Sequence, residues 1–195
     1  MITAIAEKLT NKLLSNGYLA AAEKEEIAYG LFTFLSRCFF LLICIFFGVL
    51  FRCFFESVAY YFTFLFVKKY AGGYHASTEL RCIILSSTSI FLSVFCIYIC
   101  KFVSTLYLVP CLVSIFASCI ICLFAPVEVK EKQLTTEEKK RFRLYSIIRV
   151  ILVLLIEGIC YYFSVFDICV AISIGVILEG ILITLGKKML HSEEM

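Results

Sequence analysis

Residues 82–100 and 102–125 carry no charged side chain. Each run is close to the ~20 residues an α-helix needs to cross a ~30 Å hydrocarbon layer. Inside such a layer every backbone N–H and C=O must be paired within the protein, which leaves only helices and closed barrels. A membrane barrel needs strands that alternate apolar and polar residues, and these runs do not alternate. The rest of the chain agrees: of 195 residues, 62% are hydrophobic and 17% charged, against ~25% charged in an average soluble domain. That balance excludes a disordered chain, a disulfide scaffold and an ordinary soluble enzyme. The expected fold class is all-α, a polytopic membrane protein of about six transmembrane helices with an N-terminal amphipathic helix. Residues 1–195 are expected to form a single integral membrane domain.

The six candidate spans are 28–51, 53–67, 82–100, 102–125, 144–163 and 165–186. The second is short for a full crossing. Pro110 is expected to kink the fourth by freeing a backbone carbonyl, and Pro126 to end it. No signal peptide is visible. Residues 1–26 read instead as a surface segment. Ile2, Ile5, Ala6, Leu9 and Leu13 recur at helical spacing opposite Lys8, Asn11, Lys12 and Ser15, as far as Asn16-Gly17. This helix lies either on the membrane surface or on the protein itself. With eleven Tyr and no Trp, tyrosine must serve as the interfacial anchor.

Orientation follows from Lys and Arg. Six spans and a cytoplasmic N-terminus leave only Arg52 and Lys101 outside, with Arg37 and Arg149 within spans; the other fourteen basic residues lie inside. The expected location is therefore the cell membrane, multi-pass, with the N-terminus cytoplasmic. If 53–67 were re-entrant, the N-terminus would face outside.

The connector 126–143 is basic. Thr135 and Glu138 fit a capping box, which predicts a helix that starts there and runs into the fifth span. Its first turns hold Lys139, Lys140, Arg141 and Arg143. They serve either plain topology determination at the lipid headgroups or the docking of an acidic partner segment.

One segment differs from all others. Residues 68–82 read Lys-Lys-Tyr-Ala-Gly-Gly-Tyr-His-Ala-Ser-Thr-Glu-Leu-Arg-Cys and hold Gly72-Gly73, the only glycine pair, and His75, one of two histidines. His191 reads as a solvated tail residue. Glycine at 72 and 73 permits positive φ and close backbone approach, and Ser77 or Thr78 can cap the next helix. In an unbroken helix His75 and Cys82 would stand about 10 Å apart along the axis. If His75 sits in the glycine turn, the loop can fold back and bring imidazole and thiol within hydrogen-bond reach. The helix N-terminus, Lys68, Lys69 and Arg81 all favour a thiolate at Cys82. Glu79, Ser77 or a backbone carbonyl could orient His75. On spacing alone the alternative is a structural glycine turn with an interfacial histidine. The other ten cysteines read as small apolar packing residues, and no CxxC…CxxC zinc spacing occurs.

This segment closely resembles the accessory gene regulator B (AgrB) family, the bacterial membrane endopeptidases of peptide quorum sensing. The resemblance rests on Lys69-Tyr70-Ala71-Gly72-Gly73-Tyr74-His75-Ala76 and the step from His75 to Cys82, and on Ala125-Pro126-Val127-Glu128 leading into a Lys-rich connector. It implies that His75 and Cys82 are the catalytic pair and that Gly73 is functionally important. Lys68 and Lys69 stand where the family usually has an Arg, keeping its charge but not its bidentate fork. The implied substrate is an AgrD-like propeptide. Cys82 would form an enzyme thioester as the C-terminal tail leaves, and an internal Cys or Ser of the peptide would close a thiolactone or lactone. A homodimer is also implied. No cofactor, metal or nucleic-acid partner is expected, the membrane lipids being the other partner. No phosphate-binding G-x-x-x-x-G-K-[ST] loop and no H-E-x-x-H occur.

Arg37, Arg149, Glu157 and Glu179 lie inside spans and are expected to face the protein interior. Cross-span pairing, such as Arg149 with Glu179, is one arrangement; a cavity for the peptide is another. These charges also support a rival reading, a small transporter or channel using Arg149, Glu157 and Glu179. A membrane scaffold is a third reading. Both rivals leave the glycine turn and Cys82 without chemistry.

Overall fold

The computed structural model describes residues 2–18, 20–74, 78–127 and 135–193. Seven α-helices account for most of them: α1 Ile2–Ser15, α2 Lys24–Leu50, α3 Phe54–Ala71, α4 Glu79–Phe102, α5 Leu108–Phe124, α6 Thr136–Tyr162 and α7 Phe166–Glu193. No strand occurs among the described residues, and the chain is all-α. Four helices, α2, α4, α6 and α7, are long and apolar enough to cross a membrane. The 17 residues of α5 and the 18 of α3 are shorter. By contact the chain divides into two compact units, residues 1–43 and 44–195.

In the first unit, α1 buries Ile2, Ala6 and Thr10, one turn apart, and leaves Ile5, Leu9 and Leu13 exposed. One edge of its apolar stripe is thus covered and the other is free for lipid. Gly17, at φ +74°, ends the helix as its neighbour Tyr18 donates back to the Leu13 carbonyl (3.1 Å). Arg37, expected to face inward, lies on an exposed face of α2, because only α1 is available to cover that helix within the unit.

In the second unit α7 is the hub, packing against α3, α4, α5 and α6. It is 61% buried over its most apolar stretch, where α4 and α6 are each 22% buried. Its glycines explain how four neighbours fit. A Cβ on Gly175 would stand 3.0 Å from the Tyr60 carbonyl oxygen of α3, and one on Gly180 3.1 Å from Ala117 of α5. Small residues let helix backbones approach where lipid offers no hydrophobic drive to association. Val67, Ala117, Ile121, Val150, Val153, Val176 and Ile183 fill the space between them.

The fourth span departs from expectation. The apolar run 102–125 is not one helix: α4 continues to Phe102, a 3₁₀ turn follows at Ser104–Leu106, and α5 begins at Leu108. Pro110 is therefore the third residue of α5 and kinks nothing. Its missing N–H belongs to the first turn, where no intrahelical acceptor exists. The stop near Pro126 is as expected, with Ala125 at the C-cap. The capping box is also as expected. Glu138 N donates to Thr135 Oγ1 (3.3 Å), Thr135 N donates to Glu138 Oε2 (2.9 Å), and α6 runs unbroken to Tyr162.

The turn between α4 and α5 carries an ion-pair network. Lys101 bridges Glu56 and Asp167 (3.7 Å to the latter), and Tyr107 Oη donates to Asp167 Oδ1 (3.0 Å). Burial and this hydrogen bond both hold the Tyr107 hydroxyl above the usual tyrosine range.

Packing at Gly180 is testable. Gly180→Leu is expected to force α5 and α7 apart at an overpacking cost of about 1–3 kcal/mol. Thermal unfolding of the detergent-solubilised chain should shift down accordingly, while Gly158→Leu, at an exposed position where a Cβ meets nothing within 4 Å, should not lower it.

Candidate active site

The glycine pair ends α3. Gly72 N donates to the Lys68 carbonyl (3.1 Å), and the chain then turns with φ +77° at Gly72 and +128° at Gly73. Residues with a Cβ rarely adopt these angles. The turn is fixed by two distant segments. Val127 N donates to the Ala71 carbonyl (2.9 Å), and Gly72 pairs with Val127 as an isolated parallel bridge. A Cβ at Gly72 would run into the Val127 carbonyl. On the other side Tyr74 N donates to the Leu182 carbonyl of α7 (3.1 Å). That approach requires Gly186, whose Cβ would stand 3.0 Å from Tyr74 N. The two sequence segments that look unlike ordinary span residues, 71–74 and 125–127, thus meet at one end of the bundle.

Glu179 lies behind the turn. Its carboxylate is fully buried, 3.7 Å from where a Gly73 Cβ would be, and within electrostatic reach of Lys68. Among the described residues neither of its oxygens has a hydrogen-bond partner. The expected pairing with Arg149 does not occur. Arg149 donates to the Phe66 carbonyl of α3 and lies over the Phe66 and Tyr70 rings, 4.3 Å from each centroid. The reason is reach: the last two turns of α3 present two aromatic faces and a carbonyl directly to α6. Tyr70 also packs on Phe142 and Tyr145 (5.4 and 5.1 Å). These contacts put the first turns of α6 at the same end of the bundle as the glycine turn. Lys139, Lys140, Arg141 and Arg143 are exposed there.

Thr78, one of the two expected caps, starts α4. Its Oγ1 accepts from Arg81 N (3.3 Å), and Cys82 N donates to its carbonyl (3.0 Å). Cys82 therefore ends the first turn of α4, half-buried and unoxidised. Arg81 is exposed, Glu79 half-buried, Lys68 half-buried and Lys69 exposed. His75, with Ala76, Ser77 and Glu128, lies outside the described residues.

Glu157, also expected to pair with a cation, instead accepts from Ser114 Oγ (2.8 Å) and Ser173 Oγ (2.7 Å). Arg149, Glu157 and Glu179 thus have separate surroundings among the described residues. Of the residues behind the turn, Leu182 and Gly186 escape a reading of the sequence. The one signal for them is glycine at 175, 180 and 186 in a helix that also carries a glutamate.

Fold and site together describe a multi-pass helical membrane protein whose polar glycine turn is built into one end of a helix bundle. The family model for accessory gene regulator B (AgrB) matches residues 6–183. The chain belongs to this family, which processes the propeptides of quorum sensing. No curated protein and no solved structure matches it.

The turn makes a sharp prediction. Gly72→Ala combines a positive φ with a steric conflict, so thermal stability in detergent and propeptide processing should both fall. Gly158→Ala, with open space around it, should leave both near wild type.

Proposed function

We propose that the chain is a membrane cysteine endopeptidase that removes the C-terminal tail of an AgrD-like propeptide. Cys82 is the nucleophile and His75 its general base. The thiolate attacks the carbonyl linking the peptide core to its tail. The tetrahedral intermediate collapses, the tail leaves as an amine that takes the proton held by His75, and the core remains as a thioester on Cys82. An internal Cys or Ser of the peptide then attacks the thioester. It gives up its proton and closes a thiolactone or lactone ring, and Cys82 is released as the thiol. A thioester conserves acyl-transfer potential, so ring closure needs no nucleotide. The observation that carries this reading is the bridge between Gly72 and Val127. Within a matched family, it joins the glycine segment that leads to His75 and Cys82 to the segment 125–127.

The basic first turns of α6 extend the reading. Lys139, Lys140, Arg141 and Arg143 would hold an acidic tail near the turn, at the headgroup level. Positive residues cluster on this side of the membrane, so the site faces the cytoplasm. The peptide would then enter from that side.

The central test is co-expression with a propeptide of this class. Cys82→Ala and His75→Ala should insert normally and leave the tail uncut, and Cys82→Ser should accumulate a slowly turning-over ester. Full tail removal by Cys82→Ala would overturn the assignment. In a second experiment, reversing all four α6 charges to Glu should raise KM more than it lowers kcat. An unchanged KM would remove the docking role.

A further inference from the structure

At the end of the second unit remote from the glycine turn, three helices bring three ligand-type side chains together. Cys111 ends the first turn of α5, Cys169 lies in the first turn of α7, and Glu157 is near the C-terminus of α6. Their Sγ and carboxylate oxygen atoms all lie within 4.8 Å of one another, and the two Sγ atoms are 3.3 Å apart. Cys169 is 1% and Glu157 5% exposed. The carboxylate is half satisfied. Oε1 accepts from Ser114 and Ser173, while Oε2 is buried with no partner. An unmatched carboxylate oxygen beside two thiols, in a low-dielectric interior, is costly unless a proton or a cation completes it.

We infer that Cys111, Glu157 and Cys169 form a binding site for a thiophilic divalent cation, with zinc the reference ion. Two sulfurs and one oxygen select zinc over magnesium or calcium, which prefer oxygen alone. With Zn–S bonds of ~2.3 Å, two sulfurs on one tetrahedral ion stand ~3.8 Å apart, so the present pair needs only to open by about half an ångström. A disulfide would need the pair to close to ~2.05 Å and lose two electrons, and it would leave Glu157 without a role. Ser114 and Ser173 are the supporting shell. Each Oγ stands within hydrogen-bond distance of Oε1 and of a carbonyl of its own helix, Cys111 O for Ser114 (2.8 Å) and Cys169 O for Ser173 (2.9 Å), and shares its one proton between the two acceptors. They would aim the free Oε2 at the ion. Each thiol sits in the first turn of its helix, and it is the thiolate form that binds metal. On binding, each thiol releases its proton to solvent, so affinity falls as pH falls. Cys111 is half-buried, which leaves a way in from the nearer face of the bundle.

The full chain, purified in detergent under anaerobic conditions, tests this directly. Elemental analysis after zinc exposure and washing should find about one zinc per chain. Cobalt exposure should give near-ultraviolet thiolate-to-cobalt absorption. Cys111→Ser with Cys169→Ser should lower zinc content at least ~10-fold, and Glu157→Gln should weaken binding ~10–100-fold. Cys82→Ala should keep the ion, which excludes Cys82 as its source. Equal zinc in wild type and the double serine variant would overturn the site. So would a Cys111–Cys169 disulfide in the zinc-exposed chain. If the serine variant fails to insert, the cobalt spectrum of the native chain decides, and no thiolate band means no site.

Discussion

Hydrocarbon holds no water, so every amide that leaves a helix within the bundle must find a carbonyl belonging to the protein. The glycine turn meets a related demand at one end of the bundle, where its backbone is packed against two other stretches of chain. Three residues after Ala71 the chain has left one helix, with the Thr78 cap of the next still ahead. Its amides and carbonyls would otherwise face packed side chains. Ala71 O is taken by Val127 N, and Tyr74 N reaches Leu182 O. The second bond exists only because Gly186 leaves a gap in the wall of α7. Remove that gap and the turn has nowhere to lie. The start of α4, and Cys82 with it, is positioned downstream of that one accommodation.

Much of this was legible in the sequence where the signal was local. Hydropathy marked α2, α4, α6 and α7, and Thr135 with Glu138 marked the start of α6, because a capping box depends on neighbours three residues apart. Gly72-Gly73 announced a turn, because few other residues accept such angles. The break at Ser104–Leu106 was not legible. It has neither proline nor glycine and sits within a continuous apolar run, where Pro110 is the one visible signal of a bend. Partners across helices were not legible either. Glu179 behind Gly73, Arg149 over Tyr70, and Cys111 beside Cys169 are set by how α3, α5 and α6 rotate against α7, and no spacing encodes that rotation. The cysteines show this best: by composition ten of them were packing residues, yet two of those ten face a common carboxylate.

The charged residues of the second unit follow a shared rule with different solutions. Arg149 keeps its charge by lying over two rings and donating a hydrogen bond to a carbonyl. Lys101 bridges Glu56 and Asp167 at a bundle end. Glu157 leans on two serines. Glu179 alone is enclosed against backbone, next to the turn where the proposed chemistry takes place. Opposite-sign pairing across helices serves at one bundle end, and rings, serines and backbone serve the other charges.

The Gly72–Val127 bridge also bears on inheritance. Three stretches of chain, around residues 71–74, 125–127 and 182–186, share one small set of backbone contacts, although at least fifty residues separate each from the next. None of them is free to drift alone. A hybrid that takes its glycine segment from one relative and its α7 from another joins halves shaped for different partners. Recombination within this family would therefore succeed only at crossovers that move the three stretches together.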